Sequence, residues 1–273
     1  MTLNCNGTLV DLSKPKVLGV LNLTPDSFFD GGHYNQLDAA VNQCEKMLHH
    51  GADFIDLGAY SSRPGADDVS EQEELSRLIP VLEVLLKKFP EALFSIDTFR
   101  AKVAQEALDR GAHMINDIST GNLDDQMLTT VGKYAVPYIA MHMQGTPQNM
   151  QDQPQYQDPF AEISLFFSEK IQACYAAGIN DVVLDPGFGF GKKVEHNYHI
   201  LQRLEHLQKF NVPVLAGVSR KSMIYKVLET TAEEALNGTT VLHTVALMKK
   251  AQLLRVHDVK EAKECIRLLA QLH

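Results

Sequence analysis

Eight times along this chain a short apolar, β-branched run ends in polar residues and gives way to a stretch of helical period. The runs are 17–22, 53–59, 93–97, 114–117, 137–142, 181–185, 213–217 and 252–257. Such alternation predicts parallel strands, because consecutive strands that point the same way need a connection long enough to hold a helix. The helices are readable between them. Leu37, Ala40, Val41, Cys44, Met47 and Leu48 mark one face of the first, and Gly51 stands where a C-terminal cap belongs. Leu75, Leu78, Ile79, Leu82, Leu85 and Leu86 do the same for the second, after Ser70 and Glu73 in capping-box spacing.

Eight units in 273 residues average about 34 residues each, the size of a (β/α)8 barrel. A doubly wound sheet usually has fewer strands and a glycine fingerprint after the first. Here the first run passes into Asn22-Leu23-Thr24-Pro25-Asp26, with no such fingerprint. The expected architecture is a single α/β domain over 1–273, a (β/α)8 TIM barrel. Asn6-Gly7 is the dipeptide of a two-residue hairpin turn, so a short N-terminal β-hairpin should cap the barrel bottom.

Charge and cysteine usage narrow the function. Lys plus Arg number 25 against 34 acids, a net charge of −9, so a surface for nucleic acid or anionic membrane is not expected. Any anion site must be a local basic cluster. No apolar run approaches the roughly 20 residues of a membrane helix, and the start lacks the charged and apolar regions of a secretory signal. Cys5, Cys44, Cys174 and Cys265 are scattered, which argues against zinc and disulfides and suits a reduced, cytoplasmic protein.

A barrel of this kind carries its chemistry at the carboxyl ends of its strands. Those ends read Asn22, Ser61-Ser62-Arg63, Asp97, Asn116, His142, Asp185, Ser219-Arg220-Lys221, and Arg255 with His257. Asp97, Asn116 and Asp185 offer two carboxylates and an amide, a set suited to a flat heterocycle with several N–H donors such as a 2-amino-4-oxopyrimidine. The competing reading makes the two acids caps of the helices that follow. Arg63, Arg220, Lys221, Arg255 and His257 form a basic set, much of it from strands seven and eight, where many barrels bind phosphate. The competing reading is a solvated rim.

Other features are less specific. The segment Asp185-Pro186-Gly187-Phe188-Gly189-Phe190-Gly191-Lys192 fails the phosphate-loop pattern at Pro186 and Lys193, and fails GxGxxG at Lys192. It reads as a loop whose glycines let backbone approach a flat ligand, with Phe188 or Phe190 against the ligand or in the core. His142, between Met141 and Met143, reads as a core histidine. The long, turn-rich segments 23–35 and 59–69 read as lids or substrate loops.

Residues 20–32, Val-Leu-Asn-Leu-Thr-Pro-Asp-Ser-Phe-Phe-Asp-Gly-Gly, closely resemble the first signature of the dihydropteroate synthase family. Asp56-Leu57-Gly58 through Ser62-Arg63-Pro64-Gly65 resembles the second. Ser95-Ile96-Asp97-Thr98, Ile115-Asn116-Asp117-Ile118-Ser119, Met141-His142-Met143-Gln144-Gly145-Thr146-Pro147, Asp185 through Gly191, Gly217-Val218-Ser219-Arg220-Lys221-Ser222 and Arg255-Val256-His257-Asp258 match as well.

The resemblance implies a pterin-binding transferase that joins 6-hydroxymethyl-7,8-dihydropterin diphosphate to p-aminobenzoate, giving 7,8-dihydropteroate and pyrophosphate. It implies that Asp97, Asn116, Asp185 and Lys221 hold the pterin, with Ile118, Met141, Phe190 and Gly217 also in contact with substrate. It gives Asn22, Arg255 and His257 to the diphosphate, with Asn22 near Mg²⁺. Phe28, Ser62, Arg63, Pro64 and Ser219 shape the p-aminobenzoate pocket, and Asp30 assists a cationic intermediate. A homodimer formed through the last helices is also implied. Where the family usually has Gly-Glu-Ser-Thr before Arg-Pro-Gly, this chain has Ala59-Tyr60-Ser61-Ser62, so Tyr60 replaces an acid. A methyltetrahydrofolate-dependent methyltransferase would share the pterin acids but have no use for Arg63 with Arg255 and His257. A catalytically silent pterin- or partner-binding barrel would be suggested by loss of Asn22, Asp185 or Lys221, and all three are present.

Overall fold

Each of the eight apolar runs contains a strand. The structure, a computed structural model, describes residues 1–23, 33–60, 69–150, 152 and 154–272. A hairpin of β1 (Thr2–Cys5) and β2 (Thr8–Asp11) comes first. Then follow β3 (Lys16–Asn22), β4 (Phe54–Gly58), β5 (Phe94–Asp97), β6 (Met114–Asp117), β7 (Tyr138–Met141), β8 (Val182–Asp185), β9 (Leu215–Ala216) and β10 (Leu253–Val256). All neighbours in this second sheet are parallel, in the order β8-β7-β6-β5-β4-β3-β10-β9. A bridge between Leu184 and Val214, with the Leu184 N–H donating to the Pro213 carbonyl at 2.8 Å, brings β8 to the edge of β9 and nearly closes the barrel.

Helices α1 (His33–His49), α2 (Glu71–Lys88), α3 (Ala101–Leu108), α4 (Met127–Val131), α5 (Pro159–Ala176), α6 (Val194–Gln202), α7 (Ser222–Tyr225), α8 (Leu236–Met248) and α9 (Val259–Leu269) fill the connections, with a 3-10 helix at Leu204–Phe210. The expected caps are in place. Gly51 ends α1 with φ +92°, and the Ser70 hydroxyl accepts the Glu73 N–H at 3.2 Å. The capping box is half formed, because the Glu73 carboxylate pairs with Arg77.

Strand alternation sorts the core into two parts. Outward side chains such as Ile55, Leu57, Ile96 and Leu184 pack beneath the helices. Inward side chains Leu18, Phe54, Met114, Ile139, Val183, Leu215 and Leu253 form a separate apolar plug, joined by Leu3, Cys5 and Leu12. The hairpin therefore seals the barrel bottom, as its turn predicts. Asn6 and Gly7 both have positive φ, +51° and +92°, the backbone of a tight hairpin turn that matches strand twist. Above this apolar plug, polar inward side chains appear toward the carboxyl ends of the strands. The four cysteines are free and buried. Among the described residues no helix is long and apolar enough to cross a membrane.

Candidate active site

One layer above the apolar plug the inward residues change character. Asp56 on β4 pairs in register with Ser95 on β5, Asp97 with Asn116 on β6, Asn22 with Gly58, and Met141 with Asp185. Arg255, in β10, reaches across this layer. Its Nε donates to Asp56 Oδ2 at 2.7 Å and its Nη2 to Asp97 Oδ2 at 2.6 Å. Asn116 Nδ2 donates to the same Asp56 oxygen at 3.0 Å.

Beside this group lies a second acid–base pair. A Cβ built on Gly217 would sit 3.7 Å from Asp185 Oδ2 and 3.8 Å from Lys221 Nζ, so acid and amine both border the backbone at Gly217. A Cβ on Gly58 would likewise meet Asn22 Oδ1 at 3.6 Å and Asp97 Oδ2 at 3.7 Å. Lys221 donates to the Phe188 carbonyl and lies over the Phe190 ring, 4.6 Å from its centroid. Phe190 is thus at the site, half-buried, while Phe188 is core.

Burial sets the electrostatics. It raises the Asp97 carboxyl to about 7, against the pull of Arg255. It raises Asp185 too, opposed by Lys221 and by the Gly187 N–H that donates to Asp185 Oδ1 at 2.8 Å. Burial lowers the Lys221 ammonium to about 8, with Asp185 opposing. For Arg255 burial is outweighed by Asp56 and Asp97, which push its proton affinity above the usual range. The mouth is a compact set of charges that can match a ring rich in N–H groups at one end and an anion at the other.

The capping alternative for the two acids fails. Asp185 turns into its own loop, and α6 is entered from Lys193. The first N–H of α3, on Ala101, is taken by Asp124 at 2.7 Å rather than by Asp97. Arg220 fits neither reading: it is locked by Asp258 at 2.8 and 2.9 Å and by the Ala232 carbonyl, which removes it from the anion-binding set. His257 is exposed on the rim, its N–H donating to Ser219 Oγ at 3.2 Å. Ile118 and Met141 are buried at the ends of β6 and β7. Phe28, Asp30, Ser62, Arg63 and Pro64 lie outside the described residues, as does most of both long loops.

Two residues absent from the expected set are prominent. Asp56 is one. Its signal was a lone charge inside the apolar strand Phe54-Ile55-Asp56-Leu57-Gly58. Lys192 is the other, buried and hydrogen-bonded to His142 Nδ1 at 3.0 Å, the His142 carbonyl at 3.1 Å and the Phe190 carbonyl at 2.9 Å. Burial, then Lys192, lowers His142 to about 2, so it is a neutral core histidine as read. The glycine-rich loop also needs correcting. A Cβ on Gly187 or Gly191 would run into the His142 or Gln144 carbonyl, so these two glycines serve close packing between loops rather than approach to a ligand.

Comparison with known proteins fits this geometry. The family profile described as pterin binding enzyme matches residues 18–257. The chain is 46% identical to the dihydropteroate synthase of Escherichia coli (strain K12), covering 98% of this chain and 95% of that protein. It belongs to the dihydropteroate synthase family. Dihydropteroate synthases are transferases, and this chain is an enzyme of that class. The Yersinia pestis dihydropteroate synthase, solved with a sulfonamide drug complex, superposes with a TM-score of 0.93 at 45% identity over 100% of this chain and 98% of the other. The Xanthomonas albilineans enzyme, solved with 4-aminobenzoic acid, gives 0.93 at 39% identity over 99% and 97%. The barrel and its hairpin are those of dihydropteroate synthases.

Proposed function

We propose that this chain, acting as one barrel domain over its whole length, condenses 6-hydroxymethyl-7,8-dihydropterin diphosphate with p-aminobenzoate to give 7,8-dihydropteroate and pyrophosphate. The observation that carries this reading is the Arg255 guanidinium shared by Asp56 and Asp97 beside the Asp185–Lys221 pair. Asp97, Asn116 and Asp185 accept from or donate to the pterin edge, Lys221 donates to it, and Ile118, Met141, Phe190 and Gly217 flank the ring. Arg255, Asn22 and His257 take the diphosphate. Phe28, Ser62, Arg63, Pro64 and Ser219 take p-aminobenzoate, and Asp30 faces the developing cation.

The reaction follows from charge. The bond from the pterin methylene carbon to the diphosphate oxygen breaks, and its electron pair leaves with pyrophosphate. Arg255 and His257 neutralise the charge that grows there, which is stabilisation present chiefly in the transition state. The pterin ring spreads the positive charge left on carbon, and the carboxylates of Asp97 and Asp185 favour it. The arylamine nitrogen then bonds to that carbon and loses a proton. No side-chain nucleophile is required.

Among the described residues no three His, Cys, Asp or Glu side chains converge as a metal cage. A neutral oxygen is offered by Asn22 Oδ1, which lies with Asp97 Oδ2 beside Gly58. This donor set fits Mg²⁺ carried on the diphosphate, since Mg²⁺ is commonly held by one or two protein oxygens, substrate phosphates and water. When bound there with Asn22, Mg²⁺ supplies charge neutralisation to the leaving group.

The surface around α8 and α9 exposes Met248, Leu268 and Leu272 beside Leu247 and Leu269. We assign it to a homodimer contact, because apolar side chains grouped this way are costly to leave in water. The buried thiols and the acidic surface suit the cytoplasm. The test of the reaction is direct. Purified protein with both substrates and Mg²⁺ is expected to form dihydropteroate and pyrophosphate in equal amounts. Folded protein that forms neither would overturn the proposal.

A further inference from the structure

Asp56 touches no substrate in the reaction as proposed, yet it is fully enclosed, with no solvent exposure. It sits mid-strand in β4, where its neighbours Phe54, Ile55, Leu57 and Gly58 are buried as well. One of its oxygens, Oδ2, accepts from two donors, Arg255 Nε at 2.7 Å and Asn116 Nδ2 at 3.0 Å. Those donors come from β10 and β6, on opposite sides of β4 in the sheet. In the proposed reaction they also serve opposite ends of one substrate, the diphosphate and the ring. The other oxygen, Oδ1, is buried without a partner, as is the Oγ of Ser95, its register neighbour on β5.

Asp97 is less enclosed and has fewer donors. Its side chain keeps 16% of its surface exposed, and among the described residues its one side-chain hydrogen bond is to Arg255 Nη2 at 2.6 Å. A carboxylate buried in the barrel with two fixed donors is held in place, whereas a partly exposed one with a single donor can trade it. The guanidinium's two edges are therefore unequal. Nε is fixed at the closed end, and Nη2 is held by the acid that faces the opening.

Building on the reaction proposed above, we infer that Asp56 is a positioning residue: it fixes Arg255 and Asn116 in one frame, while Arg255 exchanges Asp97 for the substrate's anion. When the substrate binds, Nη2 turns from Asp97 to a phosphate oxygen, and Asp97 is released to the N–H groups of the ring. Nε stays on Asp56 throughout. The anion-binding group is aimed before substrate arrives, so little reorganisation remains when charge develops on the leaving group.

A double-mutant cycle tests the inference. Asp56→Asn keeps the size but removes the charge and sets an amide donor against Asn116. It is expected to lower kcat/KM for the pterin diphosphate about 30-fold or more, leaving the p-aminobenzoate KM within about twofold. In an Arg255→Met background the same substitution should cost less than about threefold, because the group it positions is gone. Equal losses in the two backgrounds, or a matching rise in the p-aminobenzoate KM, would show a general structural role and overturn the inference. A measurement on the wild type stands beside this should Asp56→Asn not fold. With ¹⁵N-labelled arginine, the Arg255 Nε–H signal, assigned by its loss in Arg255→Lys, should exchange slowly with water and remain protected when pyrophosphate is added. The Nη2 signal should shift. Loss of Nε–H protection on adding pyrophosphate overturns the inference. Wild-type product formation is measured first, so failure of the reaction itself is recognised separately.

Discussion

Asp97 and Lys221 are the two groups whose protonation decides what the barrel mouth can bind. Asp97 must be anionic to accept N–H groups, and burial has raised it to about 7. Lys221 must be cationic to donate, and burial has lowered it to about 8. Loss of the first below its value and of the second above its value gives a narrow bell. The profile of kcat/KM for the pterin substrate should therefore fall on both sides of the interval between them. A plateau from about pH 5 to about pH 10, the span expected of unperturbed groups, would contradict this assignment. Tyr60 shows how a departure from the family pattern is absorbed. Its ring meets Phe99 edge-on at 5.0 Å and lies 5.2 Å from the Arg100 guanidinium, which also pairs with Glu74. The place where the family has an acid still faces a cation. Tyr60→Glu should accordingly keep the rate within about threefold, and a loss beyond about tenfold would show a role for the phenol ring itself. Asp97, Asn116 and Asp185 were legible because each stands at or next to the end of an apolar run. Asp56 was not, since a mid-strand acid gives no sign in sequence of which residues it will meet.

The elements that shape the mouth are held by contacts between loops as much as by strands. The loop after β8 lies against the loop after β7, with Gly187 and Gly191 pressed on the His142 and Gln144 carbonyls. Lys192 ties them together through the His142 and Phe190 carbonyls and His142 Nδ1. Phe190 in turn sits beneath Lys221, so the tie sets the floor on which the Lys221 amine rests. Lys192→Met should leave these carbonyls buried and unsatisfied and cost about 2–5 kcal/mol. Urea unfolding at unchanged m-value measures it. A midpoint equal to wild type would show that the loops hold without the amine. Strand and helix positions were legible because their periods of 2 and 3.6 are local properties. Even β9, only two residues long, fell within a marked run. Loop-to-loop packing was not legible, because a glycine that approaches a ligand and one that approaches a carbonyl leave the same trace in the sequence.

At the scale of the whole molecule, the barrel separates stability from chemistry. The hairpin and the apolar plug close one end, and every charged inward residue named here lies at the other. The apolar surface on α8 and α9 adds the expectation of a second copy. Sedimentation should find a dimer, and Leu268→Glu with Met248→Glu should shift it to monomer while the barrel remains folded. A wild type that stays monomeric at micromolar concentration would remove that assignment. The fold was legible as a whole because eight repeats of one local pattern leave few ways to bury their faces. Which copies associate depends on surface side chains whose exposure no pattern of periods reveals.

The claim on which the rest depends is that the two substrates are handled at separate ends of one site, with pyrophosphate leaving under the influence of Arg255. Single-turnover release of pyrophosphate without p-aminobenzoate, compared among wild type, Arg255→Ala and Ser62→Ala, tests it most directly. Arg255→Ala should slow release by about a hundredfold or more, as loss of a preorganised charge donor does. Ser62→Ala should release pyrophosphate at close to the wild-type rate and raise only the p-aminobenzoate KM, by roughly five- to thirtyfold for one lost hydrogen bond. Equal slowing by the two substitutions would contradict the account and show that the second loop and the anion-binding group act as one unit.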